Sequence, residues 1–137
     1  MNIPAILRGA LFVILAAVLT FMASWIAGIE DATAPQLITV TALWIVPGLL
    51  TGLRVHEAGT LHGLLAGLLG GAVLYLTLPA VSQLDPAPTF LRTLSAESRP
   101  LFIILAGWWG GFGGLVADNR RLIGARRAAK KQQKQHR

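Results

Sequence analysis

The chain has 137 residues and a formal charge of +6, with 54% hydrophobic and only 13% charged residues. Soluble domains carry roughly a quarter charged residues, so composition excludes an ordinary water-soluble domain, and the length allows one domain at most. Cysteine is absent, which removes disulfide frameworks, thiolate catalysis and Cys-ligated metal centres.

Charges punctuate the chain into four apolar stretches. The first, 9–29, reads GALFVILAAVLTFMASWIAGI. The second occupies 35–53, the third 59–80 with His62 its ionisable residue, and the fourth 100–117, closed by Asp118. A bilayer core of about 30 Å takes about 20 helical residues, and backbone groups in hydrocarbon must be paired within the segment. The runs are apolar on all sides and lack the alternation of barrel strands. The expected fold is therefore an all-α membrane protein with four transmembrane helices in a bundle. It forms a domain of residues 1–118, followed by a basic tail of residues 119–137.

The first stretch exceeds the roughly 7–15 apolar residues of a signal-peptide core, so it is expected to be retained although Ala32-Thr33-Ala34 has a cleavage-like composition. Pro47 lies inside the second span and is expected to kink it. Pro100 suits the first turn of the fourth helix. Between the third and fourth spans, Phe90, Leu91 and Leu94 share one helical face, which suits a segment lying flat on the membrane; the alternative is a plain solvated loop.

Basic residues sort to one side. Arg8, Arg54 and the eight Lys and Arg residues from Arg120 to Arg137 fall together, against Arg92 and Arg99 on the other side. Positive charge marks the cytoplasmic face, so both termini are expected there, in a prokaryotic inner membrane.

Small residues supply close backbone approach where lipid gives no hydrophobic drive for helices to associate. Gly59, Gly63, Gly67 and Gly71 repeat every four residues on the third helix. Gly48 and Gly52 lie on the second. Gly107 with Gly111, and Gly110 with Gly114, line two faces of the fourth. These glycines are the expected helix-packing positions, within one bundle or between copies in an oligomer. Trp108 and Trp109 lie mid-span and are expected to pack internally over the glycines.

The ionisable residues His62, Glu57 and Asp118 converge near the cytoplasmic ends of the helices and form the candidate ligand or proton site. His62 is expected to hydrogen-bond a backbone carbonyl, and Asp118 to pair with Arg120 or Arg121. The alternative is His62 as an axial ligand to a haem or pigment; otherwise no cofactor is expected. No metal site is expected, because His56 and His62 are six residues apart, a poor spacing for one helix face. The Gly110-Gly111-Phe112-Gly113-Gly114 run follows no strand and precedes no Lys-Ser/Thr, so it is not a phosphate loop. With no nucleophile–base constellation the chain is expected not to be an enzyme.

The tail, with Arg120, Arg121, Arg126, Arg127, Lys130 and Lys131, is suited to anionic lipid headgroups. No aromatic residue interleaves its charges, so a nucleic-acid partner is not expected. The tail is similar to the basic C-terminal tails of phage holins, a resemblance of composition confined to 119–137. The expected role is that of a small non-enzymatic integral membrane protein: a self-associating bundle, or an accessory subunit of a larger membrane complex. The alternative is a small channel, transporter or holin-like pore.

Overall fold

The computed structural model describes residues 2–28, 34–55, 58–83 and 99–135. All regular structure among them is helical. Among the described residues, four stretches are long and apolar enough to cross a membrane: Ile3–Ile26, Leu37–Arg54, Gly59–Val81 and Pro100–Gln133. These are the marks of a multi-pass membrane protein. Phe90, Leu91 and Leu94 lie outside the described residues.

Helix α1 spans Ile3–Ile26. It starts six residues before the apolar run does, because the gap between charges measures apolar length and not where a helix begins. The start is set by Asn2, whose side-chain oxygen accepts from the Ala5 N–H at 3.1 Å, and by Pro4 in the first turn, both favoured at helix N-termini. Arg8 consequently lies within α1. The helix closes before residue 29 as Gly28 takes a left-handed φ of +66°, a frequent helix stop.

The second span is α2 (Ala34–Thr41), a 3-10 turn (Ala42–Trp44) and α3 (Ile45–Arg54). Its irregularity lies just upstream of Pro47. A proline removes the bond to the carbonyl four residues earlier, here Leu43, and its ring crowds that carbonyl. The distortion therefore falls on the turn containing Leu43, while Pro47 itself is buried inside regular α3.

Helix α4 spans Gly59–Val81 and α5 spans Pro100–Gln135. The 36 residues of α5 reach about 54 Å at 1.5 Å per residue. Asp118 thus lies within a continuous helix that carries the basic segment out beyond the apolar stretch, in keeping with the Ala, Arg, Lys and Gln that dominate it.

The largest interface is α4 against α5, followed by α3 against α5 and α1 against α4. The core is built on Trp44 and Phe102, both fully buried, with Val13, Ala17, Leu74, Leu78 and Ala106. Phe102 lies 6.0 Å from the Trp44 ring and meets Phe21 edge-on at the same separation.

On α4, Gly63 abuts the Gly110 carbonyl, Gly67 the Ala106 carbonyl, and Gly71 the backbone at Ile103. Gly70 instead faces Val13 and Ala10 on α1. On α5, Gly110 and Gly114 approach Gly63 and Gly59, while Gly107 and Gly111 meet the Leu68 and Leu64 side chains. Gly48 meets Gly110, and Gly52 meets Ala117 and Gly114. Gly113, which the spacing argument passed over, lies against the α3 backbone at Ile45 and Leu49. The glycine faces of α5 thus contact two neighbours within the same chain.

The tandem tryptophans diverge. Trp109 is partly buried against the core and donates to the Thr41 hydroxyl at 3.1 Å, whereas Trp108 is 67% exposed. Successive residues on a helix do not share a face, so the two cannot both cover the glycines.

Candidate functional site

The candidate site is built at one end of the bundle, where α1 begins, α3 ends, α4 begins and α5 leaves the apolar layer. A helix N-terminus leaves unpaired N–H groups and carries partial positive charge. The residue before α4, Ala58, has no side-chain acceptor and adopts a left-handed φ of 52°. The acceptor comes instead from α5. Asp118 Oδ1 accepts from Gly59 N at 3.0 Å, and Oδ2 accepts from Thr60 N and Thr60 Oγ1, each at 2.9 Å. A methyl group on Gly59 would stand 2.6 Å from Oδ1, so glycine is what admits the carboxylate.

One turn further along α5, Arg121 lies 3.4 Å from Asp118 Oδ1. Its other terminal nitrogen donates to the Gly52 carbonyl. That carbonyl is in the last turn of α3, where acceptors are unpaired and the helix end is partly negative. The carboxylate thus meets the positive end of α4 and the guanidinium the negative end of α3. Of the two arginines considered as partners for Asp118, it is Arg121 that pairs, and this turns it away from the role of a free lipid-binding cation. Arg120, Arg126, Arg127, Lys130 and Lys131 are exposed along the helical extension.

His62 is 6% exposed. Its Nε2 accepts from the Asn2 backbone N–H at 3.0 Å, which requires the ring hydrogen to reside on Nδ1. Nδ1 then donates to the Ala58 carbonyl at 2.9 Å. The imidazole therefore ties the start of α1 to the first turn of α4. Both ring nitrogens are engaged, so axial ligation of a haem or pigment would require Nε2 to release Asn2. His62 and Asp118 act on the same turn of α4 through different partners. Glu57, and His56 beside it, lie outside the described residues. Arg54 is placed elsewhere in this layer, its guanidinium 5.4 Å from the centre of the Phe12 ring, within cation–π range.

Deeper in the bundle, hydroxyl groups meet indoles and backbone. Thr20 Oγ1 accepts from Trp44 Nε1 at 3.3 Å, Ser24 donates to the Thr20 carbonyl at 2.9 Å, and Thr51 to the Pro47 carbonyl at 2.7 Å. Among the described residues no buried side-chain nitrogen or oxygen lacks a partner.

Sequence reasoning missed Asn2, Thr60 and the two indole–threonine pairs. Asn2 carried a readable signal, an Asn two residues before a proline, ahead of the apolar run. The others did not, because each depends on which helix lies opposite. Chemically, the arrangement holds helix ends together; carboxylate, guanidinium and imidazole are each taken up by backbone groups of another element or turn. Compared with protein-family models, curated proteins and solved structures, the chain matches none of them.

Proposed function

We propose that the protein is a non-enzymatic subunit of a prokaryotic inner membrane that works by helix association, as a self-associating bundle or as an accessory subunit of a larger complex. The observation that carries this is the outer face of α5. Leu101, Ile104, Trp108, Phe112 and Leu115 recur at three- and four-residue steps and are all exposed, while α3 and α4 cover other sides of the same helix. Tryptophan usually anchors at the membrane interface. Trp108 lies at the middle of its span, on the uncovered side, and is suited to a neighbouring protein surface. The glycine-lined seams leave α5 held close to its own bundle, so this face is presented as a rigid ridge.

Both termini are assigned to the cytoplasm by the distribution of basic residues. In support, Asn2, the end of α3, the start of α4 and the exit of α5 are joined at one end of the bundle by hydrogen bonds. The buried hydroxyl groups that would line a solute path, those of Thr20, Ser24, Thr41 and Thr51, are each hydrogen-bonded within the bundle, which favours association over a channel or holin-like pore.

The test is a photo-crosslinking residue in place of Trp108 in living cells, compared with one replacing Leu76 on α4, which is 73% exposed. The expected result is a discrete adduct from position 108, either a dimer of the 14.6 kDa chain or a larger heterologous species, with position 76 labelling lipid. Equal labelling at the two positions, or solute flux through liposomes holding the purified protein alone, overturns the reading.

A further inference from the structure

The two helices that line one groove each carry an arginine just beyond it. The groove lies between α1 and α3, is open to the side, and holds about 390 Å³, within the range of small-molecule sites. Phe12, Leu15 and Leu19 form one wall, Val46 and Leu50 the other. Its floor is Ala16 and Pro47, the former partly buried and the latter buried. No charged side chain lines it.

The walls continue into cations. Arg8 precedes Phe12 by four residues on α1, and Arg54 follows Leu50 by four on α3, so each is one turn beyond the last apolar residue of its own wall, on the same face. Arg54 lies over the ring of Phe12, which places it at the end of the groove where Arg8 also stands. Arg8 is exposed, as is Arg54. From Arg8 to Leu19 the helix rises about 16 Å, close to half the roughly 30 Å hydrocarbon thickness, the depth that one acyl chain of one leaflet occupies.

We propose that this groove is a binding site for one anionic glycerophospholipid of the leaflet facing the N-terminus, with an acyl chain between α1 and α3 and the phosphate between Arg8 and Arg54. Guanidinium groups suit a phosphate because their forked donors match its oxygens. Two arginines from separate helices also make the lipid a clamp across the α1–α3 contact. The site is distinct from the basic extension of α5, none of whose residues lines this groove.

The experiment is native mass spectrometry of the full chain in detergent, titrated with dioleoyl phosphatidylglycerol or dioleoyl phosphatidylcholine. One phosphatidylglycerol should be retained preferentially. The double variant Arg8→Gln, Arg54→Gln should lower its affinity about ten- to thirty-fold, from roughly fivefold for each basic residue near an anionic headgroup. The paired change Arg126→Gln, Arg127→Gln should leave it within about twofold. Ala16→Leu, which fills the floor and keeps both arginines, should weaken both lipids. Water-soluble glycerol phosphate in excess should not compete, because it lacks the chain. Equal retention of the two lipids overturns the proposal, as does equal loss from the α5 pair, or displacement by glycerol phosphate. A folded double variant that binds phosphatidylglycerol as the parent does overturns it too.

Discussion

Alanine placed at four glycines should separate by what the new methyl group meets. At Gly67 it would press into the Ala106 carbonyl, with the Gly107 Cα 3.0 Å away; at Gly63 it would press into the Gly110 carbonyl. Both obstacles are backbone atoms of a packed helix, which yield only if α4 and α5 separate. At Gly111 the methyl meets Leu64 Cβ at 3.6 Å, an ordinary contact, and at Gly124 it meets nothing within 4 Å. Helix propensity favours alanine over glycine by up to about 1 kcal/mol, and forcing an extra carbon into a packed interface costs about 1–3 kcal/mol. Gly124→Ala and Gly111→Ala should therefore be neutral to stabilising by up to about 1 kcal/mol. Gly63→Ala and Gly67→Ala should be destabilising by about 1–2 kcal/mol, a five- to thirty-fold shift in the unfolding equilibrium. The assay is reversible unfolding in mixed micelles with increasing dodecyl sulfate, followed by tryptophan emission. If Gly63→Ala and Gly67→Ala unfold together with Gly124→Ala, the close approach of α4 and α5 is wrong.

Two further perturbations address the layer where the helices meet. Asp118→Asn keeps the shape but turns one acceptor oxygen into a donor facing an N–H group, so about 1–3 kcal/mol should be lost; hydrogen exchange at the Gly59 and Thr60 amides should accelerate, and unchanged exchange there would refute the capping role. His62→Leu leaves the Asn2 N–H without its partner, while the Ala58 carbonyl keeps only the backbone N–H of residue 62, and should cost about 1–3 kcal/mol. His62→Gln, which offers one donor and one acceptor, should retain most of that stability. Limited proteolysis near the N-terminus would report it, and equal sensitivity of the two variants would mean that the imidazole does not hold α1.

Much of the architecture was legible in the order of residues. Four apolar stretches must become helices because hydrocarbon offers the backbone no other partner, and their places follow from the gaps between charges. The break near Pro47 was also legible, since it follows from a missing N–H group, but its position one turn upstream depends on which carbonyl the ring crowds. Helix starts were less legible, since Asn2 sets the start of α1 through a cap and not through hydropathy.

What only the tertiary structure decided is which element satisfies which. Spacing marks Gly63 and Gly67 as sharing a face, but the face toward α5 and the opposing carbonyls are properties of two helices at once. Asp118 is read from sequence as the end of a span, whereas its acceptors serve Gly59 and Thr60, nearly sixty residues away in the chain. Arg54 and Arg8 look like topology charges until α1 and α3 stand side by side and bring them to one end of one groove. Hydropathy is a property of single residues and accumulates along the chain. A hydrogen bond or a close backbone approach joins two residues, and its partner exists only when the helices are packed.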